Sequence, residues 1–117
     1  MHPLAQQHCQ ALEGQPPLDA VQIQQHLTAA HGWTWVDGSI QKRFDFPDYH
    51  HTMAFVNAVA WIAHAQDHHP DLSVSYNRCT VRFNTHSVGG ISLNDFICAA
   101  QVDALLRSAV GAVVPSL

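Results

Sequence analysis

Two adjacent histidines against a proline, His68-His69-Pro70, close a long apolar stretch. Asp67 stands just before them, and a further histidine follows in Thr85-His86. Imidazole titrates near neutral pH, so such groups can give and take protons at working pH. Two of them around a small ligand supply an acid and a base together. Asp67 could orient one ring and raise its basicity. His64 and His68 are four apart and share a face if the helix bearing His64 reaches that far. An i,i+4 histidine pair is also a common metal-ligand geometry. Neither HExxH nor CxxC accompanies it, however, and adjacent His68-His69 is an awkward chelating pair. Solvated surface histidines, a metal site and metal-free acid–base catalysis are the three readings open at this point. No GxSxG or GxxxxGKS/T motif competes as a nucleophile elbow or phosphate loop. Cys79 falls on the apolar face of an expected strand, where a thiol is inert.

The bulk properties bound what these histidines can serve. The chain has 117 residues, enough for one domain with a real core. It is 47% hydrophobic and 12% charged, a globular composition. Formal charge is -4 with five Lys+Arg, which argues against direct nucleic-acid binding. Ten histidines are the compositional anomaly. Three cysteines, an odd number without CxxC, and no basic-then-apolar leader favour the reducing cytoplasm. The apolar runs are too short to span a membrane.

The elements that must position the histidines follow from period and punctuation. Residues 1–17 lack periodicity and are expected to form a flexible N-terminal arm, with 18–117 as the single domain. Asp19 and Gln22 form a capping box ahead of an apolar stripe, which predicts a helix over 19–30 ended by Gly32. Two strands, 33–36 and 39–46, flank Asp37-Gly38, a tight-turn pair. Trp33 belongs to the core or to the wall of a pocket. Pro47 suits the first turn of a second helix over 47–67, and Pro70 forces the chain out of helical geometry at His69. A second hairpin is expected over 72–76 and 79–86, with His86 ending the last strand. Ser92-x-x-Asp95 resembles a capping box opening a third helix over 93–108, and the apolar tail 110–117 hints at docking. The order α-β-β-α-β-β-α predicts an α+β two-layer sandwich, a four-stranded antiparallel sheet with helices on one face. His64, His68, His69 and His86 could then converge at one sheet edge.

The pattern His64-x3-His68-His69-Pro70-x5-Tyr76-x9-His86-x8-Asp95 resembles that of the pterin-4a-carbinolamine dehydratases. The flanks Gly32-Trp33, Ile40-x-Lys42-x-Phe44-x-Phe46, Tyr76-Asn77 and Gly89-Gly90 are similar too, so the likeness covers about residues 18–103. It implies the same fold, and dehydration of 4a-hydroxytetrahydrobiopterin to quinonoid dihydropterin. It implies no metal and no cofactor, the pterin being the substrate. It implies His68, His69 and His86 as the catalytic trio, with Asp67, Asn84, Thr85, Ser87 and Trp33 lining the substrate. Asp95 is a supporting residue whose capping function alone would explain it. His64 is the departure, since many members carry Glu there. The resemblance further implies a homodimer or homotetramer and a functional link to an aromatic amino acid hydroxylase. A dimerisation or coactivator-type binding protein and a His-rich metal-binding domain are the alternatives.

Overall fold

The computed structural model describes residues 3–108, so the tail expected to dock lies outside them. In chain order the elements are α1 (Ala20–Ala29), β1 (Thr34–Val36), β2 (Ser39–Asp45), α2 (Tyr49–Gln66), β3 (Asp71–Ser75), β4 (Arg78–Phe83) and α3 (Leu93–Ser108). The strands form one antiparallel sheet in the order β1-β2-β4-β3. This is the predicted α+β order. Pairing of Ile40 with Phe83, Lys42 with Val81 and Phe44 with Cys79 puts the apolar side chains of β2 and β4 on one face. Ile40, Phe44, Cys79, Val81 and Phe83 are buried there, together with Phe55 and Val59 of α2 and Phe96 and Val102 of α3. Gln41, Arg43, Thr80 and Arg82 alternate onto the other, wetter face.

Local chemistry sets the boundaries. The Asp19–Gln22 box is formed in both directions, at 2.8 and 2.9 Å. Asp37 and Gly38 both take positive φ and close the first hairpin as expected. Asp48, not Pro47, opens α2: its carboxylate accepts from the His51 N–H at 2.8 Å. The exit of α2 also differs from expectation. Asp67 turns into the left-handed region (φ 50, ψ 44), and the His68 N–H reaches back to the Ala63 carbonyl. That is a Schellman-type stop. It ends the helix at Gln66, before Pro70 acts, and so the face that His64 and His68 were to share is not built.

Two further segments depart from expectation. Residues 3–10, expected as a flexible arm, are laid against the helices. A 3-10 turn at Pro3–Gln6 lies on α3. The Cys9 N–H donates to Gln66 Oε1 at 2.8 Å, and Gln10 and Asn94 exchange two hydrogen bonds. The reason lies in α3, which is apolar nearly all round: Phe96, Ile97, Cys98, Ala99, Ala100 and Val102 are buried. Such a helix needs cover on more than one side, and Leu4 and Cys9 join the core against it. Trp33 is a core residue and not a pocket wall. It is 4% exposed, and its indole N–H donates to Asp103 on α3, which also accepts from Lys42.

A left-handed residue with a side chain is strained, more so when β-branched. Asp67→Gly should therefore leave the urea midpoint unchanged or raise it. Asp67→Val should lower stability by about 1–2 kcal/mol. Equal midpoints for the Val variant and the wild type would contradict this account of the α2 exit.

Candidate functional site

Asp95 sits in the first turn of α3 with its side chain fully buried. A buried carboxylate needs every lone pair answered. Asp95 Oδ1 lies 2.6 Å from His68 Nε2, while Oδ2 accepts from the Thr85 hydroxyl at 2.8 Å and from the Ser92 N–H at 2.9 Å. Thr85 spends its only hydroxyl proton on Asp95. Its 2.6 Å contact with Ser92 must therefore be donated by the Ser92 hydroxyl, which accepts in turn from the Asn94 N–H at 3.2 Å. The chain of donors runs one way: Asn94, Ser92, Thr85, Asp95. The expected Ser92–Asp95 capping contact is present, but it occupies only one carboxylate oxygen. The other oxygen faces His68.

His68 is the first residue after the left-handed turn, and its ring lies flat over Phe83 at the end of β4 (5.9 Å between centroids, 8° between planes). Phe83 and Asp95 thus fix both the plane and the edge of the imidazole. With Nε2 directed at Asp95, Nδ1 is the ring nitrogen left for a ligand. Burial penalises the imidazolium and is the largest single influence on it. The hydrogen bond and charge of Asp95, with smaller contributions from Cys9 and Asp67, outweigh that penalty and hold His68 above the ordinary imidazole range. In its charged form His68 donates through Nδ1; in its neutral form Nδ1 accepts.

The remaining candidates divide cleanly. Thr85 is buried and bound to Asp95 and Ser92, so it positions the carboxylate and does not line a ligand site. The Asn84 amide donates to Ser39 of β2 at 3.0 Å. His86 begins a 3-10 turn, His86–Val88, rather than ending β4; it and Ser87 are exposed. His69 and Asp67 are exposed beside His68. His86 is thus tied to His68 through its neighbour Thr85 and their common carboxylate, while His69 adjoins His68 along the chain. His64 is exposed on α2, its ring against Trp61 at 5.7 Å. Asp67 also borders a polar hollow of ≈ 220 Å³ shared with Cys9, Gln10, Ala11, Gln66 and Asn94. Among the described residues no three His, Cys, Asp or Glu side chains are grouped to hold a metal ion. None of their helices is long and apolar enough to cross a membrane. Phe83 is the site residue that sequence reasoning missed. Its alternation placed it on the buried face, but nothing in the sequence sets it under an imidazole.

A pKa raised on folding stabilises the folded state fully below the unfolded value, and that contribution is lost as pH climbs through the folded value. The stability gap between wild type and His68→Ala should therefore be largest near about pH 5 and shrink towards about pH 9. A gap independent of pH in urea unfolding would contradict the His68–Asp95 pair.

Comparison with known proteins was made on sequence and on fold. The family described as pterin 4 alpha carbinolamine dehydratase matches residues 16–105. A Nitrosospira multiformis protein carried under the provisional name pterin-4-alpha-carbinolamine dehydratase is 50% identical over 105 residues, covering 89% of this chain and 93% of its own length. A similarly named Chromobacterium violaceum protein is 52% identical over 99 residues, 85% of this chain and 92% of that one. A Brucella melitensis crystal structure, titled transcriptional coactivator/pterin dehydratase, superposes with a TM-score of 0.73 at 32% identity, covering 76% of this chain and 97% of its own. A pterin dehydratase-like protein, titled a RuBisCO assembly factor in the alpha-carboxysome, gives a TM-score of 0.55 at 27% identity, over 64% of this chain and 89% of that one.

Proposed function

This chain belongs to the pterin 4 alpha carbinolamine dehydratase family, and from that premise we propose that it dehydrates 4a-hydroxytetrahydrobiopterin to quinonoid dihydropterin by proton transfer between histidines. The observation that carries the reading is the 2.6 Å pair of His68 with buried Asp95. Hydroxide is a poor leaving group, so the 4a-oxygen needs a proton as the C–O bond breaks. A base must also accept the proton that the pterin ring gives up. Charged His68, donating through Nδ1, suits the first task. Exposed His86, whose ring has no hydrogen-bonding partner among the described residues, suits the second. His69 would bind and orient the pterin, with Asp67 and Ser87 offering hydrogen bonds to its polar edge. Each such proton transfer contributes about 10²–10⁴-fold, and the scheme uses no metal or redox cofactor. The same reading makes the protein a cytoplasmic homodimer or homotetramer that passes the pterin released by an aromatic amino acid hydroxylase back into its recycling pathway.

A binding function is the second reading. Trp61 is 67% exposed on α2, where its indole offers an aromatic contact to a partner. One structural neighbour bears the word coactivator in its title and another an assembly function.

Loss of the 4a-carbinolamine, followed by absorbance against buffer alone, separates the two. Wild type should accelerate it, and His68→Ala/His86→Ala should lose at least about 10²-fold. No acceleration by wild type would end the enzyme reading and favour binding. The pH–rate profile of His64→Glu should shift if residue 64 faces the trio in the assembled protein, and an unchanged profile would remove His64 from the mechanism.

A further inference from the structure

The sulfurs of Cys9 and Cys98 lie 3.5 Å apart, joining the N-terminal segment to the buried side of α3 across nearly the whole chain. We propose that these two cysteines form a reversible intramolecular disulfide, an oxidative modification site that ties residues 7–11 to α3 beside the His68–Asp95 pair. The inference makes no assumption about the reaction carried out there.

Geometry favours closure. A disulfide requires about 2.05 Å between sulfurs, so the pair must close by about 1.5 Å. Cys98 is fixed in a helix, but Cys9 lies in a stretch without regular structure, and such a stretch can yield. Cys9 is half-buried and borders the ≈ 220 Å³ hollow, which gives a small reagent a way in. Its other sulfur contact is the Asn94 carbonyl at 3.6 Å, a weak bond that closure would release.

The chemistry also has a direction. A hydrogen bond from Cys98 holds the Cys9 thiol below the ordinary thiol range against the opposing effect of burial, and the charge of His68 assists. The same contact, with burial, holds Cys98 far above it. Cys9 is half-buried beside the hollow while Cys98 is wholly buried, so a reagent meets Cys9 first, and Cys9 is the attacking thiolate. It displaces one thiolate from a small disulfide and forms a mixed disulfide. Capping removes the hydrogen bond with Cys9, the largest cause of the raised Cys98 value, together with the negative charge on Cys9. Cys98 then loses its proton to the released thiolate, attacks the Cys9 sulfur and expels the second thiolate. Two protein thiols are oxidised, and one disulfide is reduced to two thiols. Cys79 is a bystander: burial on β4 pushes its thiol up to about 11.

The test is incubation of the reduced full chain with cystamine, followed by alkylation in denaturant and mass spectrometry. Free thiols should fall from three to one, with the loss of two hydrogens and a peptide joining Cys9 to Cys98. Dithiothreitol should restore all three, and Cys9→Ser should abolish the cross-link. Amide exchange over residues 7–11 should slow in the oxidised form. Three surviving thiols, a persistent cystamine adduct, a cross-link through Cys79 or between chains, or unchanged exchange would each overturn the proposal. The wild-type measurements stand even if a variant fails to fold.

Discussion

A carboxylate with no exposure to water cannot be left to itself. Asp95 is answered by donors from three separate places: His68 just past α2, Thr85 just past β4 and the Ser92 backbone just before α3. Removing one partner from a buried charge costs far more than the pair contributes net. The carboxylate therefore couples the end of α2, the end of β4 and the start of α3 into one unit. The isolated bridge between Thr85 and Gly90 and the 3-10 turn at His86–Val88 bring the chain around to meet it.

His68 is where that constraint meets a titratable side chain. Burial alone would drive the imidazole neutral, and Asp95 reverses the outcome. The left-handed turn at Asp67 and the flat contact with Phe83 remove the ring's remaining freedom. Preorganisation of this kind is spent during folding, and the ring need not be ordered again when a ligand arrives. His69 and His86 are held differently. They are exposed neighbours of fixed residues, without the buried partners that hold His68.

Local rules were readable wherever the signal was local. The Asp19–Gln22 box, the Asp37-Gly38 turn and the alternation of Cys79, Val81 and Phe83 gave the element order and the sheet. Signals that depend on distant partners were not. Ser92-x-x-Asp95 read as a cap, and it is one, but no spacing rule shows that its second oxygen holds a histidine from beyond the end of α2. Trp33 could be wall or core until Asp103, far along the chain, took its indole N–H. The N-terminal segment looked unstructured because its contacts are hydrogen bonds and single apolar anchors such as Leu4. The clue to its docking was in α3, too apolar on every side to be covered by the sheet alone. The end of α2 expected at residue 67 lies one residue from the observed Gln66, but the device that stops the helix is the left-handed Asp67 and not Pro70.

The central claim is that Asp95 sets the charge and orientation of His68. The most direct measurement is an NMR titration of the His68 imidazole in wild type and in Asp95→Asn. In wild type His68 should titrate above the unperturbed value of about 6.5. In the variant the main raising influence is gone while burial persists, so the value should fall below it. An equal His68 midpoint in the two proteins would contradict the claim.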